Sequence, residues 1–482
     1  MNFKKLRQFG SIVLVLFIVA GCATNPVTGN RELAMSESWE LSAGAKYHQE
    51  ILKQYQVYED PALQAYVDKI GQKLAKKSHR QDLNFTFTLL DSPQVNAFAL
   101  PGGYVYITRG IMAYMSKESH LAGVIGHEIG HVTARHGAQR AAQQQLAGVA
   151  SVAVAVGTGS SDLAQVSQML GGALMSGYGR KQELQSDRLG AEYIAKNNYH
   201  VDDMLDVIGI LKNQELFAAE KARAEGRQPQ AYHGLFATHP KNDQRRQEVI
   251  KAADQFRDVT QPVPDDGEFL RLTNGMAYGE SESQGITRGN KFYHKSLDMF
   301  LEFPKGWQVV NQPTELLAIS PDRTQAVRMR MDNVANFQSP QNYLSSKFQS
   351  FRNGQNIRTT EDKAYAGVAT LSDQRTGQTQ NIRVSAVYRG DQAFIFLGQG
   401  KASPPNQEFF DVVTSVRRLK SNEKKLAEGR NIRVITAQAG DTFASLAKRS
   451  NLDEYAEAQL RLINNMYPTG EPRQGDKIKI IQ

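Results

Sequence analysis

The chain of 482 residues has one cysteine, Cys22, and no apolar run long enough to cross a bilayer. One cysteine excludes an intrachain disulfide and any zinc site built from Cys-x-x-Cys pairs, so a metal would need His, Asp and Glu ligands. The N-terminal apolar run Ser11–Ala20 has ten residues, whereas a spanning helix needs about 20. With 40% apolar and 22% charged residues, the composition excludes a polytopic membrane protein, a collagen-like chain and a wholly disordered one.

The formal charge of +8 is spread along the chain. Loss of the three N-terminal cations Lys4, Lys5 and Arg7 with a leader would lower it to +5. We therefore predict no nucleic-acid partner.

The N-terminus has the pattern of a secretory leader. Basic residues precede the apolar run, and Val19–Cys22 resembles a bacterial lipobox. The resemblance predicts cleavage before Cys22, lipidation of Cys22, and, with Ala23 rather than Asp next, a lipid anchor in the inner leaflet of the outer membrane of a Gram-negative bacterium. The alternative is an ordinary signal peptide that happens to contain a cysteine.

Hydrophobic periodicity divides the rest of the chain. Arg31–Phe256 reads as mostly helical, with one strand patch at Phe85–Thr108. Phe292–Leu419 alternates with period two, and Tyr388–Gln392 followed by Ala393–Leu397 predicts a hairpin. Together these patterns predict an α+β multidomain protein. The predicted segments are 1–21 (signal peptide), 22–30 (tether), 31–257 (mainly helical domain with a small sheet), 258–289 (linker), 290–420 (α/β module), 421–432 (linker) and 433–482 (small βααβ module).

A possible metal site lies in the segment from Ser116 to His136, which is predicted to be helical with Ser116 as its N-cap. On a helix, His127 and His131 lie about 40° apart and about 6 Å along the axis, so both imidazoles can reach one zinc ion. Glu128 is placed to accept a proton from a zinc-bound water.

Several residues compete as further ligands. Glu183 and Asp187, at i and i+4 on a second predicted helix, offer one carboxylate for the metal and one to hold a ligand imidazole. On the first helix, His120 is about 10 Å away along the axis and His136 about 180° around it, so neither should bind the ion. Glu183 is therefore the preferred third ligand, with the fourth position open for water.

Five motifs, in order, resemble metallopeptidase family 48, which includes HtpX, the CAAX prenyl proteases and BepA. They are Asn96–Gly103, Tyr104–Thr108, His127–His131, Glu183–Asp187 and Thr238–Pro240 with Arg245. The resemblance covers about residues 25–256 and implies a zincin domain of the gluzincin type.

The resemblance also implies residue roles. His127, His131 and Glu183 would be zinc ligands, Glu128 the general base, and Asp187 a support behind the ligands. His239 and Arg245 would act catalytically by stabilising the oxyanion or filling the open metal position; a helix cap with a surface salt bridge is the alternative. The backbone of Asn96, Ala97, Phe98 and Ala99 would form an edge strand for an extended substrate rather than an ordinary core strand.

The trailing modules carry weaker resemblances. Arg433–Ile481 resembles a LysM module, which implies possible binding of peptidoglycan, and Phe292–Leu419 resembles the PsbP/Mog1 type, for which docking or substrate selection is expected. The small-residue stretch Ala141–Gly179 is either a mobile cover over the cleft or an ordinary helical hairpin.

Together these features predict a periplasmic zinc endopeptidase with one zinc ion per chain that cleaves unfolded or misassembled envelope proteins. The outer-membrane assembly machinery is a possible partner. Two alternatives remain: an assembly factor or chaperone with a gated or inactive zinc site, and a peptidoglycan hydrolase. The HExxH spacing with a distant Glu argues against the second.

Overall fold

The structure, a computed structural model, describes residues 20–146, 178–226, 243–257, 265–312, 314–348, 350–372, 379–401, 404, 407–452 and 454–482. Most of the predicted signal peptide therefore lies outside the described residues. No helix within these ranges is long and apolar enough to cross a membrane. The chain forms two compact units, Met1–Met276 with Asn431–Gln482, and Ala277–Arg430.

The first unit is mainly helical, as its periodicity predicts. Among the described residues before Met276, its helices include α1 (Glu37–Gln54), α2 (Pro61–Ala75), α3 (Arg109–Met112), α4 (Glu118–Thr133), α5 (Arg180–Lys196), α6 (Asp203–Ala224), α7 (Asp243–Arg257) and α8 (Glu268–Thr273). Residues 136–146 are largely helical as well.

The strands of this unit are few and short. A hairpin pairs β1 (Ala20–Thr24) with β2 (Arg31–Met35). A three-stranded sheet has the order β3 (Thr86–Leu90), β5 (Tyr104–Thr108), β4 (Ala97–Leu100), so β4 is at an edge. The sheet coincides with the predicted strand patch.

The central helix is α4. Every residue from Ser119 to Thr133 is buried, and a helix that is buried on all sides belongs to the interior of a domain. The prediction that Ser116 caps this helix is wrong. The N-cap is Lys117, and no side chain caps the helix; the Ser116 hydroxyl instead accepts a hydrogen bond from Asn465 at 3.0 Å.

A buried ion-pair network holds the C-terminal end of α4. Two residues beyond the helix, Arg135 adopts a left-handed conformation with φ 59°. Its guanidinium donates to Glu40 at 3.1 Å and to the carbonyl of Met35 at 2.7 Å. Arg80 donates to the same Glu40 carboxylate at 3.1 Å, so the two cations compensate this buried acid.

The second unit is built on an antiparallel sheet. The sheet order is β10 (Gln308–Asn311), β11 (Leu316–Ile319), β12 (Gln325–Asn333), β16 (Gln392–Gly400), β15 (Thr379–Arg389), β14 (Lys363–Ser372), β13 (Arg352–Arg358). Smaller elements are β6 (Ala277–Tyr278), β7 (Ile286–Arg288), β8 (Lys291–His294), β9 (Met299–Glu302), α9 (Pro340–Lys347), α10 (Gln407–Ser415) and the 3-10 helix Ser421–Ala427.

The period-two alternation of this unit produces a sheet with two apolar faces. One face packs on α10 through Phe409 and Val413, and the other on α9 through Tyr343 and Leu344. The predicted hairpin is confirmed, because β15 and β16 pair with Arg389 opposite Gln392.

Parts of both predicted linkers form ordered elements. Residues 258–264 lie outside the described ranges, but α8 buries Phe269 completely, and β7 pairs with β8. In the second linker, the 3-10 helix buries Ala427. These stretches were predicted to be linkers from their polar composition. The elements within them are too short to give a periodic hydrophobic pattern.

The C-terminal segment folds as strand, two helices and strand: β17 (Arg430–Thr436), α11 (Phe443–Ala447), α12 (Ala456–Ile463) and β18 (Lys477–Ile481), with β17 antiparallel to β18. Lys479 is only 1% exposed. Its Nζ donates to the carbonyls of Ala113 and Met115, both at 2.7 Å. Because burial lowers the pKa of Lys479 to about 7, the neutral amine, whose two N–H groups match the two carbonyls, is favoured above that pH.

Lys479→Met should flatten the pH dependence of stability. Between pH of about 7 and 10, the unfolded chain binds a proton at Lys479 that the folded chain does not bind, so the free energy of unfolding rises with pH by up to about 1.4 kcal/mol per unit. Denaturant unfolding at several pH values within this window tests the prediction. The matched control is Lys477→Met at an exposed position of β18. If the free energy of unfolding rises with pH equally in wild type and Lys479→Met, the prediction is wrong.

Candidate metal centre

Two helices that pack unusually closely bring the candidate ligands together. A Cβ added at Gly130 of α4 would lie 3.1 Å from Cα of Ser186, and one at Gly190 of α5 would lie 3.0 Å from the amide nitrogen of His127. Both distances are shorter than ordinary van der Waals contacts, so the opposite helix would have to move by a few tenths of an ångström to admit a side chain. Glycine at both positions therefore lets the backbones of α4 and α5 approach each other.

Three donor groups meet at this contact. The Nε2 atoms of His127 and His131 are 3.0 Å apart. Glu183 of α5 places Oε2 3.6 Å from Nε2 of His127 and Oε1 3.5 Å from Nε2 of His131. All three residues are buried.

His127 is oriented by a carboxylate from the next turn of α5. Its Nδ1 donates to Oδ1 of Asp187 at 2.9 Å. Nε2 is then left with its lone pair facing the other imidazole.

Arg245 of α7 lies behind this carboxylate. Its Nε and Nη2 donate to the two oxygens of Asp187, both at 2.7 Å, and its Nη1 is 3.3 Å from Oε2 of Glu183. Burial favours neutral Asp187, but Arg245 and the His127 hydrogen bond outweigh it and hold the pKa of this carboxyl well below its usual range. The same pairing raises the pKa of Arg245 against the effect of burial.

His136 does not point away from the other histidines, as helical extrapolation predicted. The helix ends at Thr133 and the chain turns at Arg135, so Nδ1 of His136 lies 2.9 Å from Nδ1 of His131. His120 agrees with its prediction: it lies near Ser116 and Asp206, at 3.3 Å from each.

An aromatic side chain covers the second histidine. The ring of Tyr178 stacks on His131 with centroids 3.7 Å apart, and Arg140 lies 3.9 Å from the centre of the same ring. Burial raises the pKa of the Tyr178 hydroxyl. The cavity between Tyr178, His131 and Ala99 of β4 measures only about 10 Å³.

Glu128, beside His127 on α4, is completely buried. Two predicted features lie outside the described residues: His239, and residues 147–177 of the stretch proposed as a cover. Sequence reasoning missed the contacts of His136 and Tyr178. No Gly or Pro marks the end of α4 at Thr133, and Tyr178 has no spacing that links it to the histidines.

The donor set fits a zinc ion. Two imidazoles and a carboxylate are a known zinc ligand set, and His127 and His131 have partners at Nδ1, which leaves both Nε2 lone pairs converging. A cation between these lone pairs would stabilise the arrangement. The two ligand helices with an adjacent buried glutamate form a candidate centre for one metal ion.

Comparison with known proteins finds a family match around this site. Residues 61–253 match the sequence profile of Peptidase family M48. The segment contains α4, α5 and every described residue of the metal centre.

Several curated proteins are similar to this chain. The beta-barrel assembly-enhancing protease of Escherichia coli strain K12 is 26% identical over 259 residues, which cover 52% of this chain and 51% of that protein. The mitochondrial metalloendopeptidase OMA1 of Schizosaccharomyces pombe is 33% identical over 127 residues, covering 26% of this chain and 37% of that protein. The chain spans about half the length, or less, of these relatives.

Among solved structures, PsbP of Synechocystis matches 28% of this chain and 95% of its own length, with 8% identity and a TM-score of 0.22. This TM-score is too low to establish a common fold.

Arg245→Met should strongly destabilise the first unit in the presence of a chelator. The substitution leaves the buried Asp187 carboxylate without its cation, and breaking such a pair costs about 3–5 kcal/mol. Guanidinium unfolding measures the loss. Arg188→Met, at an exposed position of α5, is the matched control; equal stability of the two variants would show that the pair gives no net stabilisation.

Proposed function

We propose that this protein is a zinc-dependent endopeptidase of the gluzincin type. The observation that carries the proposal is the convergence of His127, His131 and Glu183 beside the buried Glu128, within a Peptidase family M48 domain. His127, His131 and Glu183 would hold one zinc ion. When bound, the ion supplies a Lewis acid that polarises the scissile carbonyl and makes water more acidic.

Glu128 is the general base. It takes a proton from the water that attacks the carbonyl carbon, and it gives a proton to the amine nitrogen as the C–N bond breaks. A carboxylate with no exposure to solvent exchanges that proton with the reacting groups rather than with bulk water.

Arg245 is a positioning residue. Its guanidinium is committed to Asp187, which in turn orients His127. This placement supports a role behind the ligands rather than the oxyanion contact inferred from the resemblance. His239 remains a proposed catalytic residue on the resemblance alone.

We assign the edge strand β4 to the binding of an extended peptide, although its four residues are buried in this structure. The Thr108 amide donates to the Asn96 carbonyl at 3.1 Å, so the alternation of an antiparallel ladder turns the N–H and C=O groups of Ala97 and Ala99 away from β5. Ala99 and His131 line the same small cavity. A substrate strand that pairs with Ala97 and Ala99 would therefore pass close to the metal ligands.

The physiological role we propose is quality control in the cell envelope. The similarity to the beta-barrel assembly-enhancing proteases supports unfolded or misassembled envelope proteins as substrates. The lipobox supports lipidation at Cys22 and a position at the periplasmic face of the outer membrane. The βααβ order of Arg430–Ile481 supports a LysM-like module and the sheet of the second unit a PsbP/Mog1-like module.

One observation favours the second candidate, an assembly factor with a gated zinc site. Tyr178 stacks on His131, and the cavity of about 10 Å³ beside it is too small for a peptide. A peptidase with this geometry must move Tyr178 before a substrate binds.

Casein cleavage by the purified full-length protein in mild detergent tests the activity. Glu128→Gln should lower the rate at least about 100-fold while zinc stays bound, because the general base is lost but the ligands are not. Chelation should abolish cleavage and added zinc should restore it. Glu118→Gln, on the same helix, is the control. One bound zinc without cleavage by wild type would favour the gated assembly factor.

Ala99→Pro should slow casein cleavage about 3- to 10-fold, because it removes an N–H group that we assign to substrate pairing and leaves the β4–β5 hydrogen bonds intact. Zinc affinity should not change. Ala99→Ser keeps the N–H group and is the matched control. Equal rates for the two variants would exclude pairing at Ala99.

A further inference from the structure

The two ligand imidazoles are supported in different ways. Nδ1 of His127 donates to a carboxylate, Asp187, at 2.9 Å. Nδ1 of His131 lies 2.9 Å from Nδ1 of a second imidazole, His136, which donates or accepts a hydrogen bond according to its tautomer. Neither helical spacing nor the motif predicts this second contact.

Only one arrangement of protons satisfies this contact when His131 binds a metal. The Nε2 lone pair of His131 is then used for the metal, so its Nδ1 carries the proton and donates it. Nδ1 of His136 must accept, and the proton of His136 must be on Nε2. That atom lies 3.0 Å from Oε1 of Gln185, which accepts it.

The surroundings of His136 restrict it to this orientation. The ring is completely buried, and Ser186 of α5 places Oγ 3.4 Å from its Nδ1. The left-handed turn at Arg135, held by Glu40 and the Met35 carbonyl, directs the ring towards His131.

We propose that His136 and Gln185 are positioning residues that fix the tautomer and ring orientation of His131 for zinc binding. The inference rests on the proposed zinc site. His136 supplies through an imidazole acceptor the support that Asp187 supplies to His127 through a carboxylate. Partners of this kind typically change metal affinity about 10- to 100-fold when removed.

Zinc affinity of the full-length protein, measured by competition with a chromophoric chelator, tests the inference. His136→Phe fills the volume of the imidazole but cannot accept the hydrogen bond from Nδ1 of His131, so it should weaken zinc binding about 10- to 100-fold. His136→Asn restores an acceptor near the position of Nδ1 and should stay within about threefold of wild type. His294→Phe, at a buried histidine of the second unit, is the matched control and should not change the affinity.

The visible spectrum of the cobalt(II) form gives a second readout. His136→Phe should shift the d–d bands because the ring of a ligand changes orientation, whereas a loss of stability alone does not shift them. Equal zinc affinity and an unchanged cobalt spectrum for folded His136→Phe would overturn the inference.

Two further results separate the possible failures. If wild type binds no zinc, both the proposed function and this inference fail; if wild type binds zinc and His136→Phe binds it equally well, only the inference fails. Should His136→Phe not fold, Gln185→Leu decides, because Gln185 is only half-buried. Zinc binding by Gln185→Leu that is weaker by about threefold or more supports the inference, and unchanged binding overturns it.

Discussion

The close contact between α4 and α5 is the constraint on which the metal centre depends. A Cβ at Gly130 or Gly190 would lie within about 3.1 Å of the opposite backbone, so glycine at both positions favours the short helix separation at which Glu183 lies near both imidazoles. The contact aligns two carboxylates of α5 with the histidines of α4. Glu183 lies near both Nε2 atoms, and Asp187, one turn later, reaches Nδ1 of His127. Two short motifs thus become one site through the packing of two backbones.

Two buried carboxylates near this contact are each paired with arginine. Asp187 is compensated by Arg245 from α7, and Glu40 from α1 by Arg80 and Arg135. Such pairs contribute little net stability compared with apolar packing, but removing one partner is costly. Their effect is to define one orientation for the ligands, since a bidentate guanidinium accepts few alternative geometries.

Distant parts of the chain hold both ends of α4. Near its start, Lys479 of β18 binds the carbonyls of Ala113 and Met115. At its end, Arg135 is held by Glu40 and by the Met35 carbonyl. The C-terminal βααβ segment therefore belongs to the same compact unit as the ligand helices.

The sequence by itself determined what is local. Helical periodicity placed His127 and His131 on one face, spacing at i and i+4 paired Glu183 with Asp187, and alternation predicted the Arg389–Gln392 hairpin. Tertiary structure alone decided what depends on chain reversals and long-range packing. His136 turns towards His131 because α4 ends at Thr133 without a Gly or Pro signal, and Lys479 becomes buried because residues more than 360 positions away supply its acceptors. Periodicity describes a residue's neighbours within one element, whereas these contacts arise between elements whose relative positions no local pattern encodes.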